Sequence, residues 1–231
     1  MKLLALIPAR SGSKRLPDKN IKRICGHPLI AYTIQSAIDS GIFADVVVST
    51  DSIEYAEIAM HYGANIIIRP KALASDMSPD SEWIKHALDN LEFAYDYFFI
   101  LRPTSPLRTS ETIRRAWNEY EKRVWLKAVS PVEQHPDKMW VCINNDMIPR
   151  YHASNHLLPT QSLSKLYIQN GSLEIRPFAS TSPSQYFQAF RSTGLEGYDI
   201  NTERDWVYLE YLIYTNHAKL PTIEGKAWLK E

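Results

Sequence analysis

Short apolar runs set at regular intervals among helix-period segments constrain this chain more than any other feature. Leu3–Ile7, Val46–Val48, Ile66–Ile68 and Tyr97–Leu101 are apolar throughout, the pattern of strands buried on both faces. Between them lie stretches with apolar residues at helical spacing. Leu29, Ile30, Thr33, Ile34, Ala37 and Ile38 follow His27-Pro28, and Gly41 closes them. Ala56, Ile58 and Ala59 follow a Thr50-Asp51-Ser52 cap, and Gly63 closes them. Two more helices are expected over 81–91 and from a Thr109-Ser110-Glu111 cap to residue 122. This alternation predicts βαβ units, hence an α/β fold with a parallel sheet and helices on both faces.

The polar loops at 8–20, 69–80 and 102–108 each follow the end of a strand. In open parallel sheets ligands bind beyond the carboxyl ends of the strands, so these loops should converge on one crevice. The first has the most distinctive chemistry. Arg10, Lys14, Arg15 and Lys19 are interleaved with Ser11, Gly12 and Ser13. Backbone N–H groups of a small-residue loop, together with fixed cations, make a polyanion site, and a triphosphate is the obvious occupant. The loop is neither Gly-x-x-x-x-Gly-Lys-Ser/Thr nor Gly-x-Gly-x-x-Gly, so the two commonest phosphate loops are disfavoured.

Beyond residue 125 the pattern changes. Leu126–Ser130 and Met139–Ile143 read as strands, and 144–164 as polar and irregular. Tyr167–Ile168 and Ser172–Ile175 read as short strands around Gln169-Asn170-Gly171, and Phe187–Arg191 as a last strand. Thr202 is the expected N-cap of a helix reaching Asn216. With no Gly- or Ser-rich linker, residues 1–231 read as one domain, with 126–190 as an insertion on it. The formal net charge is +0, so the positive charge is local and neither nucleic acid nor a membrane surface is an expected partner. Cys25 and Cys142 stand far apart, which suits a reducing cytosol better than a disulfide framework or a zinc site. No signal peptide is visible, no run reaches the ~18 apolar residues of a membrane span, and a cytoplasmic protein is expected.

These segments resemble the CMP-sialic acid synthetase family, the acylneuraminate cytidylyltransferases. The likeness lies in Ile7-Pro8-Ala9-Arg10-x-Gly12-Ser13-Lys14-Arg15-x-Pro17-x-Lys19-Asn20 and in Ser49-Thr50-Asp51. It continues through Arg69-Pro70 with Leu73-Ala74-x-Asp76 and Pro103-Thr104-Ser105-Pro106-Leu107-Arg108. Gln169-Asn170-Gly171 and Asp199-Ile200-x-Thr202 follow in order. The resemblance implies a Rossmann-like three-layer α/β/α nucleotidyltransferase fold with a mostly parallel sheet. It also implies transfer of CMP from CTP to a nonulosonic-type sugar acid, with release of pyrophosphate, Mg²⁺ as cofactor, and a homodimer in which the insertion reaches the partner's site.

Residue by residue, the resemblance implies a nucleotide site of Ala9, Arg10, Gly12, Ser13, Lys14, Lys19, Asn20, Arg69 and Asp76. Lys19, Arg10 and Asp199 would carry catalysis, Lys19 by stabilising charge on the α-phosphate. Arg102, Thr104, Ser105, Lys138 and Gln161 would meet the sugar acid, with Arg108 beside them. Asp199 and Asn201 would hold the metal; where family members place Asp-x-Asp, this chain has Asp199-Ile200-Asn201, so one carboxylate becomes an amide. The family's Gln before Pro-Thr-Ser-Pro is Arg102, and its Arg-Gln pair is Thr160-Gln161. One cation added and one lost suggest an acceptor other than plain N-acetylneuraminate. Legionaminate, pseudaminate and 3-deoxy-manno-octulosonate remain open, as do GTP in place of CTP and a non-catalytic nucleotide-sugar binder. Ser105 has no partnered His in a nucleophile-elbow motif, which disfavours a hydrolase.

Overall fold

The computed structural model describes residues 1–151, 153–179, 186–225 and 227–228. The elements in chain order are β1 (Leu3–Pro8), β2 (Arg23–Ile24), β3 (His27–Pro28), α1 (Leu29–Ser40), β4 (Asp45–Thr50), α2 (Ile53–His61), β5 (Asn65–Ile68) and α3 (Asp80–Asp89). They continue as β6 (Tyr97–Ile100), α4 (Ser110–Glu119), β7 (Leu126–Pro131), β8 (Trp140–Ile143), β9 (Asp146–Pro149), β10 (Tyr167–Pro177), β11 (Gln188–Arg191) and α5 (Glu203–Tyr214).

One seven-stranded sheet has the order β11-β7-β10-β6-β1-β4-β5. β1 lies between β4 and β6, parallel to both, and β10 is the strand that runs antiparallel to its neighbours β6 and β7. The sheet is therefore mostly parallel, as expected. Side chains of β1 alternate between two cores. Leu3, Ala5 and Ile7 pack with Ile30 and Ile34 of α1, Tyr55 and Ile58 of α2 and Ile113 of α4. Leu4 and Leu6 pack with Trp83, Ile84 and Ala87 of α3. With no polar face to show, β1 reads as an unbroken apolar run. Truncating the fully buried Leu6 to Ala costs about 2–5 kcal/mol by removing contacts that no neighbour can replace.

Local chemistry sets the helix ends. The Ser52 hydroxyl accepts from Tyr55 N–H and begins α2; Thr109 accepts from Thr112 N–H and begins α4. Thr202 and Asp205 form a reciprocal capping box on α5. Gly41 ends α1 in the left-handed region (φ 66°), its N–H donating to the Ile38 carbonyl.

The largest differences from the sequence reading lie beyond residue 125. β7, β10 and β11 are strands of the central sheet, so the 126–190 segment is not an insertion as a whole. The part outside the sheet is an arm between β7 and β10; residues 152 and 180–185 of the segment lie outside the described residues. The stretch read as irregular after Ile143 turns straight back as β9, pairing Cys142 with Met147. Asn144 and Asn145, both at positive φ (50° and 69°), make that turn. Two adjacent Asn, which tolerate positive φ, are a two-residue hairpin signal. The two short strands around Gln169-Asn170-Gly171 are one strand, β10, with a register shift between Gln169 and Glu174.

Candidate active site

The chain leaves β1, β5 and β6 at the same end of the sheet, and the three loops enclose a cleft of about 540 Å³. It lies between β1 and β6, where the crossovers diverge to opposite sides, which is the expected ligand crevice of an open α/β sheet.

The basic loop forms one side, and interactions within the chain fix its shape. Asp51, just after β4, accepts from Ser11 N–H and Ser11 Oγ, each at 2.8 Å. Gly12 follows at φ 69°, a left-handed turn that a side chain would strain. Asn20 donates its amide to the Arg10 carbonyl at 3.0 Å, tying the two ends of the loop together. Lys19 is buried, and its Nζ donates to the Ile200 carbonyl at 2.7 Å. Burial pushes the Lys19 ammonium below its ordinary value, opposed by Asp199 and reinforced by Arg15 and Arg10. Arg10 and Lys14 both meet Asp76, at 2.6 and 2.7 Å, and those contacts hold the Asp76 carboxyl below its usual range. Among the groups that line this side, Arg10, Lys14, Arg15 and Lys19 are cations and Asp76 is the carboxylate they meet, while Asp51, Asp199 and Asp205 lie close by without lining the cleft.

The opposite side is built from the loops after β5 and β6 and the start of α3. Arg69 is only 4% exposed, yet it lines the cleft. It packs over the Trp83 ring, and its buried Nε has no hydrogen-bond partner among the described residues. Burial lowers its pKa, with Asp51 opposing. A buried guanidinium with idle donors is costly unless something is bound to it. Next to it Asp80 accepts from Trp83 Nε1 at 2.8 Å and from Arg102 Nη2. Burial pushes the Asp80 carboxyl up, but the Arg102 charge and these hydrogen bonds outweigh it and leave the pKa lowered. Arg102, with Thr104, completes the wall. The cation that Arg102 adds to the sequence is therefore neutralised in the fold.

The sequence-predicted residues divide accordingly. Arg10, Ser13, Lys14, Lys19, Asn20, Arg69, Asp76, Arg102 and Thr104 line the one cleft. Ala9 does not: it is fully buried and extends the β1 ladder by donating its N–H to the Ser49 carbonyl. Gly12 is off the wall too, and its contribution is the turn. Ser105 and Arg108 are fully buried and out of reach of a sugar. Arg108 is a strut: it donates to the carbonyls of Arg102 and Ser172 and to Thr33 Oγ1, and burial pushes it down to about 9. Lys138, expected at the sugar, instead donates to three carbonyls of the arm, those of Asn155, His156 and Leu158. Gln161 stands exposed on the same arm, off the cleft of its own chain.

Asp199 and Asn201 flank Ile200, whose carbonyl accepts from Lys19, and neither lines the cleft. Asn201 donates its amide to Asp199 Oδ2 at 2.5 Å, and its Oδ1 accepts from Arg15 at 3.1 Å. No cluster of three or more His, Cys, Asp or Glu suited to a metal occurs among the described residues. Sequence reasoning missed Asp51, Asp80 and Trp83. The Thr50-Asp51-Ser52 stretch reads as a helix cap, but Ser52 caps alone and Asp51 reaches back to Ser11. Asp80 and Trp83, three apart at a helix start, are legible as a local pair; which way the pair faces is not.

A family model described as Cytidylyltransferase matches residues 4–135, the span from β1 to just past β7. An N-acylneuraminate cytidylyltransferase of Escherichia coli is 47% identical over 120 residues, covering 52% of this chain and 28% of that protein. A CMP-N,N′-diacetyllegionaminic acid synthase of Legionella pneumophila is 34% identical over 234 residues, covering 95% of this chain and 100% of that one. The chain therefore spans about a quarter of the first relative's length and all of the second's. A solved CMP:2-keto-3-deoxy-manno-octonic acid synthetase complexed with CTP shares the fold, with TM-score 0.70 and 16% identity over 94% of this chain and 100% of that one. With a basic loop leaving the first strand, a cleft at the switch point and a family match over more than half of its residues, this chain belongs to the cytidylyltransferase family.

Proposed function

We propose that this chain transfers CMP from CTP to a nonulosonic-type sugar acid and releases pyrophosphate. The observation that carries this reading is the cleft itself, with an excess of fixed cations on one side and the buried, unpartnered Arg69 on the other. The cations suit a triphosphate, and Arg69 suits the acceptor atoms of a base. The acceptor's anomeric hydroxyl attacks the α-phosphorus and loses its proton; the bond to the bridging oxygen breaks and pyrophosphate leaves. Such a step needs in-line placement and charge neutralisation more than a covalent intermediate. Lys19 is the residue best placed for it: buried, anchored at one N–H to Ile200, with two donors left for phosphate oxygens.

Mg²⁺ is bound by one or two carboxylates plus substrate phosphates and water, and it neutralises phosphate charge. The donor set here fits one such ion through Asp199 alone, because the Asn201 oxygen already accepts from Arg15. Asn201 then holds Asp199 in place and is not itself a ligand.

The arm supports a homodimer. It exposes Trp140, Ile143, Met147, Ile148 and Leu157, a concentration of large apolar side chains of the kind that marks an interaction surface. Gln161, remote from its own cleft, is then free to serve the partner's. No helix among the described residues is long and apolar enough to cross a membrane, and two free cysteines fit a cytosolic protein.

The test is pyrophosphate release with CTP, GTP, UTP and ATP against N-acetylneuraminate, N,N′-diacetyllegionaminate, pseudaminate and 3-deoxy-manno-octulosonate. Turnover restricted to CTP with a nine-carbon acid is expected. Turnover with another nucleotide alone, or with none, overturns the reading.

A further inference from the structure

The two sides of the cleft differ in charge in a way that assigns a role to Asp80. On the basic-loop side, cations outnumber carboxylates. On the far side Arg102 lies between two carboxylates: it meets Asp80 directly and stands 3.9 Å from Glu174, which is itself paired with Arg176 at 2.7 Å. Arg102, Arg176, Asp80 and Glu174 thus form a formally neutral cluster beside Arg69 on that side of the cleft. Asp80 is fixed from both ends, by Trp83 at Oδ1 and Arg102 at Oδ2. Gly171 packs beside the Arg102 stem, at a distance where a side chain would make ordinary contact with Cδ and Nε, 3.6 Å. Arg102 keeps Nη1 and Nε without hydrogen-bond partners among the described residues.

We propose that Asp80 is a positioning and charge-cancelling residue for Arg102, and that the pair is a neutral hydrogen-bond donor for uncharged oxygens, hydroxyl or acylamino carbonyl, of the acceptor sugar acid. The inference rests on the transfer reading above. A second uncompensated guanidinium here, added to Arg69, would compete with the basic loop for the triphosphate and draw it to the wrong end of the cleft. Pairing with Asp80 removes that pull and leaves the donors. In effect the pair does with two side chains what an amide would do with one. The added cation at this position is then no sign of a more anionic acceptor.

A double-mutant cycle tests this on the full-length protein, with N-acetylneuraminate and N,N′-diacetyllegionaminate as parallel acceptors. Arg102→Gln leaves the Asp80 carboxylate unpaired beside an anionic substrate. It should raise the acceptor KM about tenfold or more, by repulsion between like charges. Adding Asp80→Asn removes that carboxylate and should restore the acceptor KM to within about threefold of the unsubstituted protein. The KM for CTP should stay within about twofold in both variants, because uniform damage to the cleft would move both substrates together. An Arg102→Gln variant as good as the double variant, a double variant no better than the single, or parallel changes in the CTP KM overturn the assignment. Wild-type protein that binds CTP and turns over while the cycle is flat removes this inference alone. Protein that binds no CTP removes the transfer reading as well.

Discussion

The loop after β1 and the arm between β7 and β10 invert the usual rule in opposite directions. In the loop, polar groups go inside: Lys19 and Asn20 are buried, and Asp51, Ile200 and the loop's own carbonyls answer their neighbours. In the arm, hydrocarbon goes outside: Leu157 is 92% exposed, Met147 56% and Trp140 49%. Yet the arm is not loose. Lys138 gathers three of its carbonyls, Asn155 donates to Asp137, and Trp140 packs on His156. The loop is shaped by its own chain around open donors. The arm is tied together internally and leaves hydrocarbon exposed. Buried polarity with idle donors points to a small polar ligand; ordered, exposed hydrocarbon points to a macromolecular one.

Substitutions in each region can break this contrast, and the largest effect belongs to the loop. Lys19→Ala should lower the pyrophosphate-release rate about 10²–10³-fold, the usual loss when one charge-stabilising donor is removed. Its melting temperature should hold, because the ammonium is already disfavoured by burial; unchanged turnover would remove Lys19 from the chemistry. For the arm, Trp140→Asp with Met147→Asp should weaken self-association about 100-fold, as loss of central apolar anchors does, seen by light scattering as a fall to the monomer mass. A wild-type protein already monomeric at high concentration would show that the arm covers no second copy. Asp51→Ala sharpens the account of the loop: it frees Ser11 and should weaken pyrophosphate binding about tenfold by calorimetry, since preorganisation and not a direct contact is lost. If affinity stays level, the loop does not need its anchor.

The smallest effect is in pH. The Lys19 pKa lies below the ordinary 10.5, chiefly through burial. Nucleotide binding needs the charged form, so affinity should fall as pH rises, on a limb that begins below the usual lysine range. Folding stability runs the other way there, because the unfolded chain binds the proton more tightly and stability rises with pH across that window. Lys19→Arg should move the binding limb to higher pH; a limb that stays put in this variant belongs to another group.

Most of the scaffold was legible because its signals are local. Leu3–Ile7 has no polar face, α1 carries its apolar stripe and its Gly41 stop, and Thr202 announces α5. The basic side of the cleft was legible as well, since four cations among Gly and Ser follow directly on a buried strand. Misreadings came where a local signal fitted two structures. Ser105 and Arg108 sit in a segment that resembles a binding loop, yet both are interior, and Arg108 ties Thr33 of α1 to Ser172 of β10. Lys138 looked like a partner for a carboxylate and turned out to hold backbone carbonyls.

What the sequence determined by itself is the order of strands and helices, the neighbourhood of the switch point and the positive charge beside it. These follow from side-chain periodicity and backbone sterics within a few residues, which act before any long-range contact forms. Tertiary structure alone decided which donor each carboxylate answers: Asp51 the N–H and hydroxyl of Ser11 across 40 residues, Asp76 the cations Arg10 and Lys14, Asp80 the cation Arg102 across 22. Acidic residues far apart in the chain are equivalent until the sheet brings particular ones within about 3 Å, and only at that range does desolvation decide whether a charge is free to bind substrate or already cancelled.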